Sequence, residues 1–238
     1  KTVYGGYGPR LFNIEDKKTE GKNINQINNV LALLREKPDS RRAVIQLFDA
    51  ADIAREQKEI PCTCTLQFII RNQQLHMFTN MRSNDAFLGL PHDVFAFTMF
   101  QEIIARTLCV ELGTYKHAVG SLHLYDEHRK KAKKYLEEGW QPTTISMPQM
   151  PLGDPWPSIN LILEAESTIR TKNGSQINQS NFDPYLADLA RLLKIYKLSK
   201  EENIEEITKL KKNMSHNIYT LYIRKKQLSK ISSNRLFS

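Results

Sequence analysis

The sequence predicts an α+β fold with a helical segment appended towards its C-terminal end. Short apolar and β-branched runs alternate with segments of helical periodicity as far as about residue 140. Beyond that point a proline-rich stretch is followed by helical patterns alone. The 238 residues, with 40% hydrophobic and 25% charged side chains, can build a sizeable core and exclude wholesale disorder. No run of about 18 apolar residues occurs, so no transmembrane helix is expected.

The first predicted elements are a loop, an amphipathic helix and a strand. Residues 3–10 combine Gly, Tyr and Pro, which is typical of a loop. Apolar residues recur at helical spacing over 23–36, and a turn at 37–40 ends the helix that they predict. Residues 43–48 are apolar and β-branched, so they predict a buried strand.

A hairpin and a long helix follow. Residues 65–70 and 74–80 predict two strands that are joined by residues 71–73. Asp93 is placed to cap a long apolar helix, which we expect to end near Leu108.

The pattern changes near residue 140. Residues 115–122 predict a strand that leads into a charged helix ending at Glu138, and five prolines within 141–157 then predict a rigid, extended connector. Helices and one polar, mobile loop follow, with the helices at 159–170, from Asp183 and from about Glu201, and the loop at 171–181. We therefore divide the chain into three parts, a mixed domain over 1–140, a connector over 141–158 and a helical appendage with a basic tail over 159–238.

Positive charge is concentrated at one end of the chain. The 34 Lys and Arg residues outnumber the 26 Asp and Glu residues, which gives a net charge of +8. Residues 200–238 carry +5 of that charge, and a second basic run at 129–134 is typical of a solvated helix face. Because no zinc-finger, base-stacking or recognition-helix pattern accompanies the charge, a nucleic-acid partner is not favoured.

Three cysteines are too few, and odd in number, for a disulfide scaffold. Cys62, Cys64 and Cys109 favour a reducing compartment, and we expect a cytoplasmic protein. Cys62 and Cys64 have neither a second pair nor a His cluster nearby, so no metal site is expected. Cys62 follows Pro61 directly before a predicted strand, where it is either an exposed nucleophile or a buried structural cysteine.

The stretch 80–93 places many polar side chains between a predicted strand and a predicted helix. Arg82 and Ser83 have the chemistry to hold a phosphate. Asp85 and Asp93 have the chemistry to accept hydrogen bonds from a planar heterocycle. Turn formation and helix capping are the alternative for Ser83 and Asp93.

Two further pairs are candidates for ligand binding. His123 and Tyr125 are two residues apart, so on a strand they share a face and both can reach a sugar hydroxyl, although a lone histidine is more often a core residue. Arg41 and Arg42 are adjacent cations after a turn, which indicates either a phosphate site or an ordinary surface pair.

Taken in order along the chain, these motifs resemble the thymidylate synthase family, which includes the pyrimidine-nucleotide hydroxymethylases. The resemblance covers about residues 4–128 and implies that family's mixed β-sheet with flanking helices. The motifs that carry it are DSRR (39–42), PC (61–62), QF (67–68), RSND (82–85), LGLP (88–91) and GSLHLY (120–125).

The resemblance implies specific roles for the nucleophile and the phosphate ligands. Cys62 would add to C6 of the pyrimidine. Arg82 and Ser83 would bind the nucleotide phosphate, and Arg41 and Arg42 would reach it from the partner subunit of an obligate homodimer.

Further implied roles concern the base, the sugar and the co-substrate, 5,10-methylenetetrahydrofolate. Tyr7 matches the family's active-site tyrosine, and Gly89 would allow a close approach to the base. His123 and Tyr125 would hold the sugar 3′-hydroxyl. Asp85 would organise the pterin or the bound water network.

Asp93 is the main departure from the family pattern, because thymidylate synthases carry an Asn there that pairs with uracil. Cytosine presents an amino donor and an unprotonated N3, which a carboxyl group matches better than it matches uracil O4. The sequence therefore favours hydroxymethylation of a cytidine monophosphate, dCMP or CMP. Conversion of dUMP to dTMP and nucleotide binding without catalysis are the alternatives.

The sequence begins at Lys1, close to the YG turn. In the family, a catalytic Glu and an additional phosphate-binding Arg lie upstream of that turn. We therefore expect a preceding N-terminal segment to carry them.

Overall fold

The computed structural model describes residues 4–16, 19, 21–54, 56–140, 143–171 and 182–228. The chain divides into two compact units, Lys1–Trp140 and Gln141–Ser238. The helices are α1 (Tyr7–Phe12), α2 (Gln26–Glu36), α3 (Ala51–Ala54), α4 (Gly89–Thr107), α5 (Arg129–Glu137), α6 (Trp156–Thr171), α7 (Pro184–Lys200), α8 (Ile204–Lys212) and α9 (Thr220–Leu228). The strands are β1 (Ile14–Glu15), β2 (Asn23–Ile24), β3 (Val44–Gln46), β4 (Thr63–Arg71), β5 (Gln74–Met81), β6 (Asn84–Asp85), β7 (Glu111–Val119) and β8 (Leu122–His123).

A four-stranded mixed sheet with the order β3-β4-β5-β7 organises the first unit. β3, β4 and β5 pair antiparallel, whereas β7 joins β5 in parallel after the α4 crossover. Asn72 and Gln73 connect β4 to β5 with φ angles of 51° and 59°, the two-residue turn that suits the twist of a hairpin. The predicted α+β class, with a mixed sheet flanked by helices, is confirmed.

One face of this sheet carries the core. Leu66, Phe68 and Leu75 on the two central strands are fully buried. The helices α2 and α4 contribute further buried apolar side chains, among them Ile27 and Ile104. Burying such side chains supplies the main driving force for folding, at about 1.5–3 kcal/mol for each large one.

The prediction of a buried strand at 43–48 holds for one face only. Ile45 is fully buried, whereas its neighbour Val44 is 43% exposed. Successive side chains of a strand point to opposite faces of the sheet, so those of β3 alternate between the core and the open face.

The start of α4 differs from the prediction that Asp93 caps it. The helix begins at Gly89, and Asp93 lies one turn inside it. The carboxylate of Asp85 instead accepts the backbone N–H groups of Leu88 and Gly89, at 2.8 and 3.3 Å. The LGLP segment is therefore the first turn of the helix, and it leaves the Asp93 side chain free of any capping role.

The strand predicted at 115–122 is interrupted. β7 ends at Val119, and Gly120 and Ser121 separate it from the short strand β8. β8 pairs in parallel with β6, which sets Asp85 opposite His123. Two of the predicted polar motifs thereby become neighbours.

Over its described residues, the second unit contains helices and no strand. Residues 143–155 form no helix or strand, and α6 begins at Trp156, three residues earlier than predicted. Pro157 lies in its first turn, where a missing N–H costs nothing. The single basic helix expected from about Glu201 is two helices, α8 and α9, and the predicted loop after Thr171 lies outside the described residues.

Apolar side chains of α7, α8 and α9 form a separate core, which consists of Ile195, Leu198, Ile207, Leu210 and Ile223. A fully buried carboxylate, Asp188, accepts hydrogen bonds from Arg191, from the Ser215 backbone and from both the backbone and the ring of His216. No helix in the described part of the chain is both long and apolar enough to cross a membrane.

Candidate active site

Cys62 lies immediately before β4, partly exposed, and Arg82 holds the loop that carries it. The Arg82 backbone N–H donates to the Cys62 carbonyl at 2.9 Å. The guanidinium donates to the carbonyls of Pro61 and Ile60, at 3.0 and 3.2 Å. One of its nitrogens is 3.8 Å from the Cys62 sulfur. The arrangement places a fixed positive charge beside a free thiol.

Tyr7 meets the residue that follows the cysteine. Its hydroxyl oxygen accepts from the Thr63 backbone N–H at 3.2 Å and from the Thr63 hydroxyl at 2.8 Å, and its ring stacks on Phe97. Burial raises the pKa of Tyr7, the Thr63 hydrogen bonds lower it, and the charge of Asp93 raises it further. The phenol therefore keeps its proton at neutral pH, and both contacts with Thr63 use oxygen lone pairs.

Ser83, His123 and Tyr125 form a polar group beside the β6–β8 pair. The Ser83 hydroxyl is 3.4 Å from Nδ1 of His123, and the rings of His123 and Tyr125 meet edge to face at 4.8 Å. Tyr125 lies beyond the end of β8 and is 54% exposed, so its hydroxyl is accessible. The structure thus brings these three predicted residues together.

The carboxylate of Asp85 accepts hydrogen bonds from the backbone at the start of α4. In addition to Leu88 and Gly89, Phe87 donates its N–H to the carboxylate at 3.1 Å. Burial would raise the pKa of Asp85, but these three N–H groups outweigh it and lower the pKa. Asp85 is therefore ionised at neutral pH, and it fixes the turn between β6 and α4.

Asp93 is half-buried in the second turn of α4. Burial raises its pKa, while the positive charge of His117, a hydrogen bond from Asn84 and the charge of His92 lower it. The charge of Asp93 also raises the pKa of Tyr7. Burial of this carboxyl group therefore favours its protonated form more than in a solvent-exposed aspartate.

Comparison with known proteins identifies the family. The thymidylate synthase family model matches residues 2–165. The chain belongs to the thymidylate synthase family. The thymidylate synthase of Buchnera aphidicola subsp. Baizongia pistaciae (strain Bp) is 33% identical over 120 residues, which are 50% of this chain and 45% of that relative. The chain therefore spans about half the length of the relative that it matches.

Membership of the thymidylate synthase family confirms the resemblance that the ordered motifs indicated. The matched span ends at residue 165, well beyond residue 128, where the motif resemblance ended. It includes the proline-rich connector and the first ten residues of α6.

Gly89 packs closely against Asn84, and the two adjacent arginines are exposed. A Cβ atom at Gly89 would lie 2.4 Å from Oδ1 of Asn84, so in this chain the glycine makes room for that buried amide. Arg41 and Arg42 are exposed before β3, and Arg41 lines a groove on the open face of the sheet with Phe78. The role of Gly89 at the base and that of the two arginines at the phosphate stay predictions.

The sequence analysis missed two polar residues of the site, Asn84 and His117. Nδ2 of Asn84 is 3.2 Å from Nε2 of His117, whose Nδ1 is 2.6 Å from the Tyr115 hydroxyl. Asn84 lies within the RSND motif, between two residues to which a role was given. Tyr115 and His117 have the same i, i+2 spacing as His123 and Tyr125, a signal that was available in the sequence.

Proposed function

We propose that the protein transfers a one-carbon unit to C5 of a pyrimidine nucleoside monophosphate. The observation that carries this proposal is the Cys62 sulfur, 3.8 Å from the Arg82 guanidinium and next to the Thr63–Tyr7 hydrogen bonds, in a chain of the thymidylate synthase family. A free thiol, a fixed cation and a phenol that keeps its proton are the groups needed to add to C6 of a pyrimidine and to leave again.

Cys62 is the nucleophile that adds to the base in the first step and is eliminated in the last. Its thiolate adds to C6, which makes C5 nucleophilic, and C5 then forms a bond to the one-carbon unit. Loss of the C5 proton and departure of tetrahydrofolate leave an exocyclic methylene on the base. Addition of water to that methylene, with elimination of the Cys62 sulfur, gives a 5-hydroxymethyl nucleotide and regenerates the thiol.

The phosphate and the sugar have ligands in the same subunit. Arg82 offers its guanidinium and Ser83 its hydroxyl to the phosphate, next to the cysteine loop. His123 and Tyr125 offer polar atoms to the 3′-hydroxyl.

Cytosine is the base that Asp93 suits best. A carboxyl oxygen can accept a hydrogen bond from the exocyclic amino group, and a protonated carboxyl can donate to N3. The raised pKa of Asp93 makes the protonated form easier to reach inside the closed site. Uracil would instead set its O4 acceptor against the carboxylate, and an unpaired buried acceptor costs about 1–3 kcal/mol.

Asp85 is compatible with a folate co-substrate. Its carboxylate is ionised, and its two oxygens accept three backbone N–H groups, so one of about four lone pairs remains for a donor of a pterin. When bound, 5,10-methylenetetrahydrofolate supplies the carbon at the oxidation level of formaldehyde. Free cysteines at 62, 64 and 109 fit a protein of the reducing cytoplasm.

A homodimer would complete the site. The open face of the sheet presents a row of paired residues, Val44, Gln67, Phe78 and Lys116, one from each strand. Arg41 lies at the edge of this face, in a groove of about 670 Å³. Packing of this face against a second copy would let Arg41 and Arg42 extend to the partner's phosphate.

Thymidylate synthesis is the second candidate, favoured by the name of the Buchnera relative. The two reactions share every step up to the exocyclic methylene. Hydride transfer from tetrahydrofolate, which would become dihydrofolate, would then give a methyl group, whereas addition of water would give a hydroxymethyl group. The outcome depends on whether the closed site excludes water.

Product analysis tests the proposal. The purified protein is incubated with 5,10-methylenetetrahydrofolate and, separately, with dCMP, CMP or dUMP, and the products are separated by chromatography with mass detection. We expect a 5-hydroxymethyl product from a cytidine nucleotide. Formation of dTMP from dUMP alone would contradict the cytosine assignment, and binding without any turnover would contradict the enzymatic one.

A further inference from the structure

Two exposed tyrosines lie together on the surface of the helical unit. Tyr196 on α7 is 50% exposed, and Tyr222 on α9 is 40% exposed. The Lys226 ammonium is 5.0 Å from the centre of the Tyr196 ring and 5.4 Å from the centre of the Tyr222 ring. A single cation thus joins two aromatic rings from different helices, and neither ring has a role in the reaction described above.

Each tyrosine also has a lysine one helical turn further along its own helix. Lys200 follows Tyr196 by four residues, and Lys226 follows Tyr222 by four residues. Residues at this spacing lie on the same face of a helix, and the Lys200 ammonium is 5.5 Å from the centre of the Tyr196 ring. All three ammonium–ring distances fall within the range of a cation–π interaction. We refer to these four residues as the tyrosine–lysine patch.

The sequence around the patch is strongly basic. No Asp or Glu follows Glu206, whereas eight Lys and Arg residues do. Two of them, Arg224 and Lys225, are exposed on α9 between Tyr222 and Lys226. An excess of positive charge attracts polyanions and makes their binding sensitive to salt. The patch therefore combines exposed aromatic surface with a positive field.

A groove of about 310 Å³ on α6 and α7 extends this surface, and Tyr196 and Lys200 both line it. Two carboxylates also line the groove. Each of them is paired with a cation, Glu166 with Arg170 at 2.8 Å and Glu201 with Lys197 at 3.7 Å. This pairing weakens their repulsion of an anion, so the groove is open to a phosphate chain that continues from the patch.

An anionic membrane is the other polyanionic surface to consider, and α9 does not suit it. Leu221 is 70% exposed and Leu228 is 57% exposed, at the two ends of one stripe along the helix. Arg224 and Lys225 are exposed between them on the same stripe. Helices that lie in the plane of a membrane separate an apolar face from a basic face. The mixed stripe therefore favours a nucleic-acid partner over a lipid surface.

We propose that the tyrosine–lysine patch binds single-stranded nucleic acid, with bases stacked on the two tyrosines and phosphates held by the two lysines. The distances to Lys226 put the ring centres no more than about 10 Å apart, which is about three nucleotide steps along a stacked strand. Nearby nucleotides of one strand can therefore reach both rings, whereas the paired and stacked bases of a duplex cannot. Folding thus creates the base-stacking pattern that the linear sequence lacks. The inference is independent of the proposed reaction, because the patch lies in the second unit and the candidate active site lies in the first.

Fluorescence anisotropy with labelled oligonucleotides tests the role of the rings. The full chain is titrated at low salt into oligothymidylate and oligouridylate of about 16 nucleotides, so that DNA and RNA are compared. We expect binding to at least one of the strands, and Tyr196→Ala and Tyr222→Ala should each weaken it at least about fivefold. Tyr222→Phe keeps the ring and should stay within about twofold of the wild type. Tyr135→Ala on α5 is the matched control, since Tyr135 is 58% exposed with Lys131 four residues before it, and it should leave the affinity unchanged.

The salt dependence of binding tests the role of the lysines. Lys200→Gln together with Lys226→Gln should lower the slope of log affinity against log salt by about 1.4, because each phosphate contact of a single strand contributes about 0.7. Lys131→Gln together with Lys134→Gln removes the same charge from α5 and should leave the slope nearly unchanged.

Three outcomes would overturn the inference. They are the absence of oligonucleotide binding, an affinity that neither tyrosine-to-alanine variant lowers more than Tyr135→Ala does, and binding only to vesicles of phosphatidylserine and phosphatidylcholine. Product formation from dCMP should be the same in all of these variants. A failed binding test therefore leaves the proposed reaction intact, and a wild-type protein without turnover leaves this inference intact.

Discussion

At the scale of single residues, Cys62 and Cys64 are a natural pair for comparison. Both are partly exposed free thiols at the start of the same strand, but Arg82 contacts only the first in the hydrogen bonds described above. Cys62→Ala should reduce product formation by at least about a thousandfold, because no other group can add to C6. Cys64→Ala should retain activity within a few-fold. Rates are compared by product chromatography at saturating nucleotide, and equal losses in the two variants would remove Cys62 as the nucleophile.

Asp93 carries the second residue-scale prediction. Asp93→Asn replaces a carboxyl group with an amide that offers one donor and one acceptor, the combination that matches the O4 and N3–H of uracil. The ratio of kcat/KM for dCMP to that for dUMP should fall at least about tenfold. Steady-state kinetics on both nucleotides measure this ratio. An unchanged ratio would show that the base is read elsewhere.

At the scale of elements, the junction of β6 and α4 requires a glycine at position 89, because no side chain fits there. Gly89→Ala would place a Cβ atom 2.4 Å from Oδ1 of the buried Asn84, so it should lower the free energy of unfolding by about 1–3 kcal/mol. Gly8→Ala, in α1, meets nothing within 4 Å and should be neutral or stabilising by up to about 1 kcal/mol. Urea unfolding monitored by circular dichroism distinguishes the two. Equal stability of the two variants would contradict the close packing.

An ion pair between Arg10 and Asp52 joins the short helix α1, which carries Tyr7, to α3. Arg10 donates to both oxygens of the fully buried Asp52, at 2.8 and 2.6 Å, and to the Leu47 carbonyl at 2.7 Å. Burial would raise the pKa of Asp52, but the Arg10 hydrogen bond and others outweigh it and lower the pKa. The pair should therefore stabilise the fold above pH 3.8, the ordinary pKa of aspartate, and lose that effect as the pH falls further.

Asp52→Asn tests this attachment. At pH 7 it should lower the free energy of unfolding by at least about 2 kcal/mol, because Arg10 would lose its charged partner. The difference from the wild type should shrink as the pH falls below 3.8. Denaturant unfolding at several pH values measures both effects. A constant difference between pH 7 and pH 3 would argue against a pair that depends on charge.

The helices and strands themselves show what local pattern can predict. The hairpin of β4 and β5 and the helix α2 were predictable because alternation and helical spacing are properties of neighbouring residues. The first turn of α4 was not, because the acceptor for its N–H groups, Asp85, comes from the preceding strand. Sequence spacing made Asp93 a plausible cap, and only the path of the chain excluded it.

At the scale of the whole molecule, the open face of the sheet is the surface on which assembly would depend. Phe78 lies at the centre of the cross-strand row between Gln67 and Lys116. Phe78→Glu should convert a homodimer into monomers and lower activity, because charges would be buried against the second copy. Leu221→Glu, at a 70% exposed position of α9, is the matched control and should leave assembly unchanged. Sedimentation velocity measures both, and an unaltered dimer in Phe78→Glu would place the interface elsewhere.

The α+β class and the family resemblance could be predicted from the sequence, because local periodicity and the order of motifs are properties of the linear chain. Which of the candidate residues meet depends on how the chain folds. Folding placed Arg82 against the Cys62 loop and joined Asn84 to His117. Such contacts join residues that are 20 to 33 positions apart, and their hydrogen-bond directions depend on burial and tautomer, which no linear pattern contains.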